Sequence, residues 1–472
     1  MTTIAQNRLP LLRAGAAAGI AGIVVVVGAI VAVQPFAGLA LVGFVALVAL
    51  AFLAPVTHLT LLLAITVLVP YGVQNTFSVP GAGMLPSDAL LLTGLFRAGI
   101  TLIREPLGRR RMLSLGLLAA FLAIVFLQAV HGLEVGRSAS QVGYELRVLL
   151  GFSVFAIAMP IVAAPGGPRR LAIGLMTVGL LLGLWGLAQW SLGIEEIAES
   201  GVGVREGISF TSTGRGQLQG GLYAFPVAVV MSFAALVGAR IVRYWPRVVL
   251  VAILVTNFLC LILTYERTFW VATVVGMAFV VLRSDPGKRA RAILAGIVTA
   301  VFMVGAFATF APDDFTAARE RLVSLGQYNN DDSVRTRIVE TNHVLAEIDE
   351  SPFTGSGLGA TIFWGRAWQN VSPEATWYSH NGYLWMTWKI GLIGAACLFA
   401  LLAWAIFSRS PRRQRPPLKV LRIGAQAALF VFFLSSITFP TFNGLEITAT
   451  MGVLAALCLT PAAVSRGSTR TA

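Results

Sequence analysis

The sequence predicts an all-α polytopic membrane protein of about fourteen transmembrane helices, alternatively twelve, with one large, partly helical outer loop. Three observations predict it. Apolar residues make up 57% of the 472 and charged residues only 12%, where an average soluble chain carries about 25% charged. The mean hydropathy is +0.80, and apolar runs of the length that spans a hydrocarbon core, roughly 17–25 residues, recur from end to end. Basic residues also cluster in every second gap between those runs. The segments 1–13, 104–111, 165–170, 239–247, 283–291, 408–422 and 465–472 hold 23 of the 35 Lys and Arg but only Glu105 and Asp285 of the 21 acids. Positive-inside insertion produces that alternation, so the net charge of +14 reads as topology and not as a nucleic-acid footprint.

Taken in order, the expected spans are 14–33, 36–54, 56–69, 88–103, 112–130, 144–164, 171–190, 218–238, 248–264, 269–282, 292–310, 383–407, 423–439 and 448–464. The first follows Arg8 and Arg13 and is longer than the apolar core of a usual signal peptide, so it reads as an uncleaved span. The third and fourth flank Pro70, Pro80 and Pro86 and read as short, broken or re-entrant; losing both leaves twelve spans. An even number places both termini in the cytoplasm. Residues 1–310 then hold spans one to eleven, 311–381 form the outer loop, and 382–472 hold the last three spans and a cytoplasmic tail. Cys260, Cys397 and Cys458 all fall in spans and read as small buried residues, not as a disulfide framework. No repeat at a fixed period is visible.

The outer loop is longer than a connection needs, and its composition argues for order. Pro312-Asp313-Asp314 starts one expected helix, ended by Gly326. Asp332 or Ser333 caps a second, which places Val334, Ile338, Thr341, Leu345 and Ile348 on one face until Ser351-Pro352 stops it. A glycine run, Gly355/Gly357/Gly359, and an aromatic stretch through Trp377 and Tyr378 then lead to His380-Asn381. The glycines follow a helix and not a strand, so they are no dinucleotide fingerprint. Aromatics there read equally well as an interfacial belt. Asp313-Asp314 and Asp331-Asp332 read as helix caps, with a divalent-ion site as the competing reading.

Of the 12 basic residues outside the inner segments only Lys389 is a lysine. Arg97 falls within the fourth span. Arg205, Arg215, Arg267, Arg319, Arg335, Arg337 and Arg366 are among those at the outer surface. Arginine offers a fixed planar fork of donors suited to phosphate oxygens. Arg267 sits in the short turn Tyr265-Glu266-Arg267-Thr268, against the positive-inside bias and near the hydrocarbon boundary. A charge placed there is costly unless paired and reads as functional; an ion pair with Glu266 is the competing reading. His380 stands just before a span, with Ser379 and Asn381 as candidate caps. The positive end of a helix dipole favours a neutral imidazole, which a general base needs, and also attracts an anion. A merely structural histidine remains the alternative.

Several of these pieces fall into one order: Glu266-Arg267-Thr268-Phe269-Trp270, Arg335-x-Arg337, Ser351-Pro352-Phe353-Thr354-Gly355-Ser356-Gly357-Leu358-Gly359, His380-Asn381-x-x-Leu384 and Gly391-Leu392-Ile393-Gly394. In that order, over roughly residues 250–405, the chain resembles the O-antigen ligase/polymerase superfamily. The resemblance implies a multi-spanning GT-C-like glycosyltransferase of the cytoplasmic membrane. Its implied donor is an undecaprenyl-diphosphate-linked glycan, transferred at the outer face to a lipid, glycan or protein acceptor or polymerised there, without a nucleotide sugar. It also implies arginines on the diphosphate and a loop histidine that activates the acceptor hydroxyl. Carried over, Arg267 and His380 take those two places, with Glu266 where the family usually has Ser and Asn381 in support. Arg215, in Thr213-Gly214-Arg215-Gly216, matches the upstream arginine more weakly, and Arg335 and Arg337 add to the anion site. Lys389 stands where the family often has an acid.

The expected chemistry displaces a diphosphate from an anomeric carbon, with arginines facing the charge that develops and a histidine, whose ordinary pKa lies near neutrality, as base. It calls for no cofactor and no metal. The alternative is a polytopic transporter or flippase for a lipid-linked or anionic substrate. Such a protein places charges in mid-span, where Arg97 is the obvious example here.

Overall fold

The computed structural model describes residues 35–69, 74, 85–104, 108–192, 223–238, 247–264, 266–310, 332–366, 371–409 and 416–460, with isolated positions between 312 and 319. The expected first span, Arg205, Arg215 and the Asp313-Asp314 pair lie outside the described residues.

Helices dominate. In chain order they are α1 (Pro35–Leu53), α2 (Pro55–Leu68), α3 (Pro86–Arg104), α4 (Arg109–Glu134), α5 (Ala139–Leu150), α6 (Val154–Ala163), α7 (Gly167–Leu192), α8 (Ala224–Gly238), α9 (Arg247–Leu263), α10 (Arg267–Arg283) and α11 (Pro286–Phe310). After them come α12 (Asp332–Glu350), α13 (Gly382–Phe407), α14 (Pro416–Ser435) and α15 (Leu445–Leu459). A 3-10 turn, Gly151–Ser153, joins α5 to α6, so the two run on as one expected span. Among the described residues six helical stretches are long and apolar enough to cross a membrane, and five shorter apolar helices accompany them. The third and fourth expected spans are both continuous helices, α2 and α3.

Without a hydrophobic drive between helices in lipid, packing relies on close approach and polar contacts. Asn257 of α9 shows both devices: its fully buried amide donates to Gly179 O across to α7 at 2.8 Å and to Ile253 O of its own helix at 2.8 Å. Cys260 and Cys458 are free and buried, as their place in spans predicted, whereas Cys397 is free and half-buried.

The two ends of the bundle differ. At one end Lys419 pairs with Asp285 at 2.6 Å, Arg422 donates to Ser408 Oγ at 2.6 Å, and Arg110 lies over Trp404 at 5.7 Å. The basic connections of the sequence therefore gather together. The other end carries α12, the 351–366 segment and the starts of α10 and α13.

Two features depart from the helical expectation. A two-stranded antiparallel hairpin, β1 (Ile362–Arg366) and β2 (Val371–Thr376), replaces part of the aromatic stretch. Pro373 hides it from sequence patterning; the proline is accommodated because the register shifts between Trp364 and Arg366. The second departure is α12, which is rolled partly off its predicted face: Val334, Thr341 and Ile348 of that face stay half-buried, but the other two do not. Ile338 and Leu345 are 57% and 42% exposed, while Val344 and Glu340 are buried. The helix packs on α13 and β1 through Val344, and a polar contact of Glu340, described below, fixes the roll.

Gly391 breaks α13 with φ 71° and ψ 169°, a conformation open to glycine at little cost. The break would leave Trp388 O and Leu392 N–H without each other. The Ser351–Gly359 segment supplies both partners: Pro352 O accepts from Leu392 N at 2.8 Å and Ser356 N donates to Trp388 O at 2.7 Å. Irregular backbone at this depth is stable only when other protein groups satisfy it. The segment is held again where Leu358 N donates to Gln128 O of α4 at 3.1 Å. Glu145 Oε2 accepts from Gly359 N at 2.7 Å, and the Lys389 ammonium reaches Ala360 O at 2.5 Å. Lys389 and Glu145 themselves pair at 2.7 Å with both side chains fully buried. Lys389, out of place for the family's pattern, thus meets its acid from a different helix.

Candidate functional site

Asn381 caps α13. Its side-chain oxygen accepts from Tyr383 N at 3.0 Å and Leu384 N at 3.1 Å, satisfying two of the donors that a helix start leaves open. The residue before it, His380, is therefore held at the helix entrance. Its side chain is 28% exposed.

Glu340, from the middle of α12, comes to meet it. Oε1 accepts from the His380 backbone N–H at 2.6 Å and Oε2 faces His380 Nδ1 at 2.5 Å. The glutamate side chain is only 2% exposed. Tyr378 sets its ring edge against the imidazole at 5.4 Å, and Trp377 stacks edge-on against both Tyr378 and Tyr144 of α5. Tyr144, Trp377 and Tyr378 thus form a chain of ring contacts that ends on the histidine, while Phe363 of the same stretch is exposed.

Arg337 lies one turn before Glu340 on α12, the spacing that shares a helix face. Its Nε is buried and has no hydrogen-bond partner among the described residues. Arg335, two residues earlier, is exposed; the two arginines that the sequence groups together point apart.

Arg267 opens α10, with Glu266 in the N-cap place but making no side-chain cap bond. Both are half-buried. The start of α10 is pinned by Phe269, Tyr223 and Phe439, whose rings lie 5.2–5.6 Å apart in a closed trio. Thr268 Oγ1 also meets Thr438 Oγ1 at 2.7 Å. The turn between α14 and α15 that contains Thr438 and Phe439 also receives α13, through Gly382 N to Ser436 O at 2.8 Å. One turn thus buttresses the starts of both α10 and α13, bringing Arg267 and His380 to the same end of the bundle. Among the described residues no three His, Cys, Asp or Glu side chains gather as a metal site would need.

Sequence reasoning missed Glu340 and Glu145. The first had a faint signal, its spacing from Arg337 on an expected helix. The second had a plain one, a carboxylate at the edge of an expected span, and Lys389 deep in another was its partner. Arg97 was singled out instead.

Residues 252–399 match the family model described as O-antigen ligase, within a few residues of the stretch over which the motifs carry the resemblance. No curated protein matches the chain.

Proposed function

With an O-antigen ligase domain over residues 252–399 as premise, we propose that this multi-pass membrane protein transfers or polymerises a lipid-diphosphate-linked glycan. The donor we assign is undecaprenyl-diphosphate-linked, the acceptor is a hydroxyl on lipid, glycan or protein, and the site is at the outer face of the cytoplasmic membrane. The observation that carries the reading is His380, half-open at a capped helix start and backed by a buried carboxylate, with arginines on the neighbouring helices. In the reaction the acceptor oxygen bonds to the anomeric carbon. The bond from that carbon to the diphosphate oxygen breaks, its electron pair leaving with the diphosphate. The hydroxyl proton passes to His380. Arg267, Arg337 and, from outside the described residues, Arg215 face the diphosphate, and Arg335 serves from the exposed side of α12. Preorganised cations at low dielectric stabilise the charge that develops there, and the chemistry runs without metal or cofactor. A transporter reading finds less support, since Glu145 and Lys389 neutralise each other and hold a loop.

Purified protein with lipid-linked donor tests the reading. Arg267→Lys keeps the charge and loses the bidentate fork, so transfer is expected to drop about tenfold or more, the loss of roughly one charge-assisted hydrogen bond. Arg289→Lys, exposed at the opposite end, should transfer as wild type. EDTA should leave the wild-type rate unchanged; loss restored by Mg²⁺ would make the acidic pairs ligands. A silent Arg267→Lys would favour the transporter.

Topology is checked separately. Reporter fusions after Arg289 and after Gln327 are expected on opposite sides of the membrane, with the first cytoplasmic. Signals from the same side would refute the fourteen-span arrangement.

A further inference from the structure

Glu340 spends both carboxylate oxygens on one residue forty positions away, the backbone N–H and Nδ1 of His380. Burying a carboxylate costs several kcal/mol unless its partners repay it, and a cap for the backbone N–H alone would need only one oxygen. The second contact selects something about the ring. A carboxylate only accepts, so the proton of a neutral imidazole must sit on Nδ1, which leaves the Nε2 lone pair free. With 28% of its side chain exposed, the histidine keeps a way out for that second nitrogen. The capped start of α13 and the edge of Tyr378 restrict the ring further.

We propose that Glu340 is a positioning residue for His380. It fixes the Nδ1–H tautomer, aims Nε2 at the acceptor hydroxyl, and faces the imidazolium that forms when Nε2 takes the proton. This rests on the glycan-transfer reading above. It also accounts for the orientation of α12, since the roll that exposes Ile338 and Leu345 is the roll that brings Glu340 to the histidine.

Glu340→Gln separates positioning from packing. Glutamine has nearly the same shape, and its oxygen can still accept from the His380 backbone N–H. Its NH₂ then faces Nδ1 and can only donate, so the ring must carry its proton on Nε2 and loses the base. Transfer is expected to fall about 10²-fold or more in kcat, with KM for donor changed little, and Glu340→Asp should recover part of the rate. The tautomer is read directly from ¹⁵N-histidine-labelled protein in liposomes by solid-state NMR, since the chain has only four histidines and His380→Ala assigns the signal. Wild type should show the Nδ1–H form and Glu340→Gln the Nε2–H form. An Nε2–H signal in wild type overturns the proposal whether or not the variant folds. So does a Glu340→Gln enzyme with the wild-type rate while His380→Ala is impaired. If instead His380→Ala transfers normally, the base assignment itself falls, and the positioning role with it.

Discussion

His380→Ala is expected to lower the transfer rate by about 10²–10⁴-fold, roughly 3–5 kcal/mol of barrier, which is the usual worth of general-base help. Donor binding should be largely spared, because the proposed site assigns the diphosphate to arginines on other helices. The substitution leaves the buried Glu340 without its ring contact, although the backbone N–H of residue 380 still donates to it. Some loss of stability is therefore expected along with the loss of rate. Measuring donor binding, thermal stability and transfer on the same detergent-purified protein keeps the effects apart. A variant that binds donor, melts near wild type and transfers at the wild-type rate makes His380 a structural residue.

Glu145→Ala should be the most destabilising single change at this end of the bundle. It strands the Lys389 ammonium, fully buried, with Ala360 O as its remaining hydrogen-bond acceptor, and removes the acceptor of the Gly359 N–H. Removing one partner of a buried pair costs about 3–5 kcal/mol, whereas replacing both with apolar residues of similar volume is often neutral. Glu145→Leu combined with Lys389→Met is therefore expected to recover part of the melting temperature that Glu145→Ala loses, and part of the transfer rate, since the charge is no longer stranded while Gly359 N–H and Ala360 O still lack these partners. Thermal unfolding of the three proteins in one detergent decides it. Recovery of stability without recovery of transfer would move this pair from scaffold to chemistry. No loss in Glu145→Ala would mean that the loop is held by its backbone bonds alone.

Local signals carried much of the architecture. Apolar run length and charge alternation located the helices, because each is stabilised mainly by bonds within its own segment and by the surrounding apolar medium. Beyond the apolar runs the same held for α12: Asp332 or Ser333 was expected to open it and Ser351-Pro352 to close it, and it runs Asp332–Glu350. Asn381, one residue before α13, was legible as a cap for the same reason. The motif order around Arg267 and His380 falls within the stretch, residues 252–399, that matches the family model described as O-antigen ligase.

What the sequence could not supply were the pairings across distance. Glu340 is 40 residues from His380 and Glu145 is 244 from Lys389, and no periodicity links positions so far apart. The hairpin of β1 and β2 was hidden by Pro373, whose tolerance depends on the register shift between the two strands at its own level. The break at Gly391 was invisible because a glycine inside an apolar run reads as ordinary packing until another segment arrives to bond the freed backbone. The roll of α12 was mispredicted for a related reason: hydrophobic periodicity assumes that apolar burial sets the face. Here the buried carboxylate of Glu340 and its two bonds to His380 turn the helix, leaving Ile338 and Leu345 in the open. Sequence alone determined where most of the described helices lie and the motif order that the family match covers. Tertiary structure decided which charges meet, because an unpaired buried charge costs more than an exposed isoleucine or leucine.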